Sequence, residues 1–199
     1  MKSILLLITL TSSIFALSIN SSLLKIHATL VPKIYLMDYK FKNKLKNNTI
    51  TIAIMYKNRN YQEAKEFRNM IQNRYSDGIK TFKVKPFLVN YKDVTTSSAN
   101  IYYLFPTDTN NIKKVIKKAN SNQALTFSYL KDDLKHGVMI SLSVSKKIKP
   151  LLNLDAIKSH QIVLRPVLVN ISSIFIYDKG SSYNQLKIHG LYEYILYQV

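Results

Sequence analysis

The residue types best suited to acid–base or nucleophilic chemistry lie together in one short stretch of this chain. Asp132, Asp133, His136 and Ser141 combine a pair of carboxylates, an imidazole and a hydroxyl within residues 132–141. A catalytic serine needs a strained, exposed turn and a base within hydrogen-bonding reach of its hydroxyl. If these groups met in that way, the chain would be a hydrolase.

The local pattern favours a structural role for these residues. Around Ser141, the apolar residues Ile140, Leu142 and Val144 alternate with serines, which is the period of a strand with one buried face. The two aspartates suit the first turn of a short helix, where the helix dipole favours negative charge. Gly137 permits the chain reversal after that turn. We therefore predict that the stretch delivers a strand to a sheet and that the chain is not an enzyme.

The remaining residue types give little support to metal, thiol or phosphate-loop chemistry. The chain has no Cys, and its four His and four Gly residues are scattered. Their spacing matches neither a metal site nor a glycine-rich phosphate loop. We predict no catalytic residues, no metal and no cofactor, while a hydrolase whose carboxylates converge only in space stays an open alternative.

A lysine cluster follows the serine-rich strand. Lys146, Lys147 and Lys149 surround Ile148, and Pro150 is expected to end the strand there. Such a run either discourages edge-to-edge pairing of a sheet or attracts an anion, and both interpretations stay open. Just beyond it, Asn153 is expected to cap a short helix.

The first 18 residues have the pattern of a secretory signal peptide. Lys2 precedes an apolar stretch, and Ala16-Leu17-Ser18 forms a small-x-small cleavage site. The apolar stretch is shorter than the roughly 20 residues that span a bilayer. We expect export, cleavage of residues 1–18, and a soluble periplasmic protein without a membrane span. The net charge of +18 then indicates a solvated basic surface, since export argues against a nucleic-acid partner.

Strand and helix patterns alternate along the rest of the chain. Stretches rich in β-branched and aromatic residues predict strands at residues 49–56, 80–91, 101–105 and 124–130. Pro86 is expected to place its strand at an edge of the sheet. Apolar residues at helical spacing predict helices at residues 23–39, 61–76 and 110–120. Asn60 is expected to cap the second of these helices, and Thr107 or Asp108 the third. The alternation predicts a single α/β domain over residues 22–175, with a mostly parallel central sheet flanked by helices on both faces. Residues 176–199 are expected to form an aromatic-rich C-terminal tail.

The order of segments in the second half resembles that of the YfiR-like family of periplasmic regulatory proteins. Residues 124–130, Gly137, residues 140–144 and Asn153 follow the family order of short strand, small helix, glycine, apolar strand and asparagine turn. The likeness extends over residues 23–173. It implies an α/β fold and a regulatory role.

This resemblance also implies a partner. Family members are repressors that bind the periplasmic domain of an inner-membrane diguanylate cyclase, in cyclic-di-GMP signalling, until envelope or redox stress releases it. Well-known members carry disulfide-forming cysteines, whereas this chain has no Cys, so thiol-based sensing is impossible here.

We therefore expect an exported, non-enzymatic binding protein that represses or tunes an integral inner-membrane signalling protein, with a homodimer left open. Lysines would steer it to an acidic partner, and tyrosines suit an interface. The expected partner-binding residues are Lys146, Lys147, Ile148, Lys149, Leu152, Ile157, Tyr192, Tyr194 and Tyr197. The alternative is a small periplasmic solute-binding module that resembles one lobe of a binding protein. Its ligand would sit at the carboxyl ends of the strands, near residues 56–60 and 106–110.

Overall fold

Seven strands form one mixed sheet in the computed structural model, which describes residues 19–177. In chain order they are β1 (Thr49–Tyr56), β2 (Lys83–Asn90), β3 (Ile101–Leu104), β4 (Leu125–Ser128), β5 (Ile140–Val144), β6 (Ile148–Leu152) and β7 (Ser173–Ile174). Their order across the sheet is β2-β1-β3-β4-β5-β6-β7. Neighbouring strands from β2 to β5 are parallel, β6 is antiparallel to β5, and β7 is parallel to β6. The expected signal peptide, and the tail from residue 178, lie outside the described residues.

Helices cover both faces of this sheet. Those within residues 19–177 are α1 (Ser21–Tyr35), α2 (Tyr61–Arg74), α3 (Thr109–Ser121), α4 (Leu154–Ser159) and α5 (Pro166–Ile171). Apolar side chains of α1, α2, α4 and α5 form one core cluster with one face of the sheet, which we call the first face. α3 packs on the opposite, second face. The predicted α/β arrangement, with a mostly parallel sheet between helices, is confirmed. Over the same residues, no helix combines the length and apolarity needed to cross a bilayer.

The composition of β1 shows why both faces can be covered. Ile50, Ile52 and Ile54 belong to the first-face core, and Ala53 and Met55 belong to the second-face core. A strand buried on both sides reads as a nearly continuous apolar run, because neither set of side chains meets water. This pattern places β1 in the interior of the sheet, between β2 and β3.

A buried histidine anchors α1 to the first face. The ring of His27 is fully buried, and its Nδ1 shares a hydrogen bond of 2.9 Å with the hydroxyl of Tyr103. It also contacts the rings of Phe127 and Tyr129, at centroid distances of 5.4 and 5.6 Å. Burial lowers the pKa of His27 from 6.5 to about 3, because a charged imidazole would lose its hydration there. His27 is therefore a neutral part of the core at ordinary pH.

Two of the predicted helix caps are confirmed and one is wrong. Asp108 caps α3, accepting from the backbone N–H of Asn111 at 3.0 Å, and Asn153 caps α4, accepting from that of Ala156 at 3.0 Å. Asn60 stands before α2, but its side chain makes no capping hydrogen bond. A 3-10 turn runs directly into α2 here and holds Asn60 at φ −111° and ψ 18°. A capping side chain needs extended backbone at that position.

The prolines behave differently from one another. Pro86 lies in β2, the edge strand, as predicted. Pro32 lies inside α1, which ends at Tyr35, so the predicted helix is too long by its last turn. The prediction that Pro150 ends its strand is wrong, because Pro150 pairs with Leu142 inside β6. β7 pairs only with the last two residues of β6. At Pro150 the outer side of β6 is therefore an edge, where a missing N–H is tolerated.

Candidate functional site

The cluster of Asp, His and Ser residues forms a buried structural joint. The hydroxyl of Ser128, at the end of β4, donates to Asp133 Oδ2 at 2.5 Å. The hydroxyl of Ser141, on β5, donates to the carbonyl of Ser128 at 2.9 Å. Asp133 and Ser141 are both buried, and burial raises the pKa of Asp133. These bonds tie β4, the 3-10 turn Lys131–His136 and β5 together. The Ser141 hydroxyl is thus engaged with main chain and not presented to a substrate.

The other two members of that set lie apart from Ser141. Asp132 is exposed. His136 is half-buried, and its Nε2 lies 3.4 Å from the hydroxyl of Thr109, at the start of α3. The geometry matches the structural interpretation of this stretch. Within residues 19–177, no group of three or more metal-ligating side chains is arranged to hold a metal ion.

The lysine cluster forms the tip of a β-hairpin. β5 and β6 pair up to Val144 opposite Ile148, and residues 145–147 form the loop between them. Lys146, Lys147 and Lys149 are exposed. Val144 is 60% exposed and Ile148 is 39% exposed. We call residues 144–149 the hairpin tip. It presents two apolar side chains among three cations, at the carboxyl edge of the sheet.

Two other predicted contact residues occupy the core. Leu152 is fully buried, and Ile157, on α4, is nearly so; both belong to the first-face cluster. Their side chains are therefore closed to a partner in this structure, although the hairpin tip beside them is open. Apolar spacing could not show this, because it marks a buried face and an interface in the same way. Tyr192, Tyr194 and Tyr197 lie outside the described residues.

A basic cleft lies at the same edge of the sheet, beside the point where the strand order reverses. It has a volume of about 480 Å³ and is lined by Lys57, Asn58, Arg59, Asn90 and Lys92. The first three residues follow β1, as the sequence suggested for a ligand site. Asn90 and Lys92, which the sequence reasoning missed, come from the end of β2 and the turn after it. Their only sequence signal is a position directly after a strand.

An ion pair bounds this cleft on the side of β3. Lys57 Nζ lies 2.7 Å from Asp108 Oδ2. The Lys57 hydrogen bond, followed by the backbone N–H of Asn111, lowers the pKa of Asp108 to about 2. The carboxylate therefore stays ionised at all physiological pH values. It holds Lys57 across the crevice between β1 and β3.

A second cavity, of about 810 Å³, opens at the opposite edge of the sheet. Gly137, Asn153, Phe175 and His160 are among its lining residues. The Nδ1 of His160 lies 2.8 Å from the carbonyl of Ala156, and its Nε2 has no hydrogen-bond partner in the described part of the chain. If Nδ1 carries the proton that this carbonyl accepts, Nε2 is an unpaired acceptor. The volume is within the range of small-molecule sites.

Comparison with known proteins identifies related sequences and related folds. A family model described as YfiR/HmsC-like matches residues 40–173, which is more than half of the chain. The search of curated proteins found no match.

Two solved structures show the same fold at low sequence identity. One is a conserved domain protein from Vibrio cholerae O1 biovar El Tor, with a TM-score of 0.54, 13% identity and coverage of 76% of this chain. Another is an ABC domain from Streptococcus pneumoniae in complex with L-Trp, with a TM-score of 0.52, 10% identity and coverage of 77%. The aligned part spans 59% and 62% of those two proteins. At these identities the likeness extends to the fold alone.

Proposed function

Because this chain belongs to the YfiR/HmsC-like family, we propose that it is an exported regulator that binds the periplasmic domain of an integral inner-membrane signalling protein. The family is one of periplasmic, non-enzymatic regulators of diguanylate cyclase signalling. Repression or tuning of such a cyclase is the role we assign to this chain. The family match is the observation that carries the proposal.

The hairpin tip is the surface we assign to this contact. Interfaces need apolar side chains that lose water on binding, and Val144 and Ile148 offer two on adjacent strands. Burying the exposed part of each would contribute on the order of 1–2 kcal/mol. A pair of this kind is a small hot spot, and a stable complex also needs the surface around it.

The lysines at the tip suit an acidic partner. Lys146, Lys147 and Lys149 surround the apolar pair, and among residues 19–177 none of the three forms an ion pair. Exposed charges of this kind speed the encounter with an oppositely charged surface more than they hold the finished complex. We therefore expect the lysines to set the association rate and its salt dependence. The apolar pair should set the dissociation rate.

Capture from envelope extract tests this proposal. The immobilised chain should retain an integral membrane signalling protein with an acidic periplasmic domain, identified by mass spectrometry. The purified domain should then bind the chain directly. Replacing Val144 and Ile148 by Ser should weaken this binding by at least about tenfold, mainly through faster dissociation. Lys146→Glu with Lys147→Glu should slow association.

A matched control separates surface recognition from net charge. Lys113 and Lys117 are exposed and one turn apart on α3, so Lys113→Glu with Lys117→Glu changes the charge equally at another place. The control should bind almost as the unchanged chain does. Recovery of no membrane signalling protein, or equal loss of binding in both charge variants, would contradict the proposal.

A further inference from the structure

The crossover helices leave a crevice at the carboxyl edge of the sheet. The chain leaves β1 through α2, which packs on the first face, and leaves β3 through α3, which packs on the second face. Because the two helices depart to opposite sides, the loops after these neighbouring strands separate from each other. Open α/β sheets bind their ligands at this position.

In this protein the crevice is spanned by a cation. Lys57 reaches from the end of β1 to Asp108, at the start of α3. The open cleft lies on the other side of Lys57, between the ends of β1 and β2. Lys57 therefore both pairs with the carboxylate of Asp108 and lines a cavity that can admit a ligand.

The walls of the cleft attract anions. Its lining contains three cations and two amides, and the described part of the chain contributes no carboxylate to it. Within residues 19–177, no acidic side chain pairs with Arg59 or Lys92. Two like charges on one small cleft repel each other unless an anion lies between them. An oxyanion would satisfy both, since a guanidinium binds its oxygens in pairs and an ammonium acts as a point charge.

Hydrogen bonds between the two loops fix the shape of the cleft. Asn90 Nδ2 donates to Asn58 Oδ1 at 2.9 Å, which joins the end of β2 to the turn after β1. Asn90 Oδ1 accepts from the backbone N–H of Lys92 at 3.2 Å. The backbone that carries Arg59 and Lys92 is thereby held in place before any ligand arrives. Such preorganisation lowers the cost of binding.

We propose that this cleft is a binding site for a small oxyanion, of the phosphate or phosphate monoester class, held by Arg59 and Lys92, with Lys57 as a third contact. Lys57 turns from Asp108 to the ligand as the anion enters. The site lies apart from the hairpin tip in sequence and on other strands. Through this site a small molecule would influence a protein whose family members bind other proteins.

Titration with two probes tests this site. Inorganic phosphate and glycerol 3-phosphate are added separately to the purified chain at constant ionic strength, and binding is measured by calorimetry and by backbone amide NMR. We expect saturable binding with a dissociation constant of about 1 mM or tighter, and shifts confined to the amides of residues 57–59 and 90–92. Tighter binding of glycerol 3-phosphate assigns the site to phosphorylated solutes. Tighter binding of inorganic phosphate assigns it to the free anion.

Three variants make the test specific. Arg59→Gln with Lys92→Gln should weaken binding at least about tenfold. Asp108→Asn keeps an oxygen that can cap α3 and frees Lys57, so it should tighten binding by roughly threefold. The control, Lys113→Gln with Lys117→Gln, removes two charges elsewhere and should leave binding unchanged.

Three results would overturn the proposal. They are no saturable binding of either probe, equal weakening in the Arg59/Lys92 variant and the α3 control, and amide shifts spread over the whole basic surface. Absence of saturable binding would mean that the cleft holds no oxyanion, and either of the other two results would mean that the anion responds to net charge and not to this cleft. The variants lie at the surface or keep the cap, and a thermal melt verifies that each is folded.

Discussion

The neutral histidine in the core makes the stability of this protein depend on pH. His27 has a pKa of about 3 in the folded chain and about 6.5 when it is exposed by unfolding. Between these values the unfolded chain binds a proton that the folded chain does not. The free energy of unfolding therefore increases as the pH rises through this window and decreases as the pH falls through it.

The size of this effect follows from the two pKa values. Each pH unit inside the window changes the free energy of unfolding by about 1.4 kcal/mol. From about pH 7.5 to about pH 5, the loss due to His27 comes to about 2 kcal/mol. Asp133 acts with the opposite sign, because its pKa is raised in the folded chain. Asp133 is present both in the unchanged chain and in a variant altered only at His27, so its contribution cancels when the pH dependences of the two are compared.

Urea unfolding at several pH values measures the effect, and tyrosine fluorescence is a suitable signal because the chain has no Trp and 14 Tyr. His27→Gln leaves a hydrogen-bonding group near Tyr103 but removes the titration. This variant starts less stable, yet its stability should change by about 2 kcal/mol less over the same pH range. An unchanged pH dependence in His27→Gln would show that His27 is not the source of the effect.

Two further predictions concern the folded state. Lys44 pairs with Asp38 at 2.6 Å, and Asp38 is fully buried. Lys44→Met leaves that carboxylate without its partner and should lower the free energy of unfolding, measured in urea, by about 3–5 kcal/mol. Adding Asp38→Leu should recover most of this loss. Gly78 has φ +81°, and a Cβ there would collide with the carbonyl oxygen of Phe82, so Gly78→Ala should cost about 2–4 kcal/mol. At Gly137, with φ +99°, the nearest atom is the end of a flexible side chain at 3.3 Å, so Gly137→Ala should cost less; equal losses at the two glycines would contradict this argument.

The alternation of strands and helices could be predicted because the apolar residues of most elements recur at the spacing of a buried strand or of a helix. The apolar run of β1 and the apolar stripe of α3, formed by Ile112, Val115 and Ala119, match the observed core. The strand through Pro150 could not be predicted in the same way. Whether a proline is tolerated depends on which side of its strand is paired, and β7 reaches β6 from residues far along the chain.

The candidate sites were predictable only in part, for a similar reason. The lysines of the hairpin tip stand together in the sequence, so their exposure at one place followed from composition alone. Leu152 has the same apolar character as Ile148, yet one is core and the other is exposed. The basic cleft needs Arg59 and Lys92 to meet, and only the pairing of β1 with β2 brings them together.

Regulation of a membrane signalling protein through the hairpin tip is the function that we propose for this chain. The most direct test is the cyclic-di-GMP content of cells that lack the chain, compared with cells that express it unchanged or with Val144→Ser and Ile148→Ser. Surface changes of this kind should alter stability by no more than about 0.5 kcal/mol, so folding does not confuse the comparison. We expect cyclic-di-GMP to rise without the chain, to return to its normal content with the unchanged chain, and to stay high with the hairpin-tip variant. Equal cyclic-di-GMP in all of these cells would contradict it.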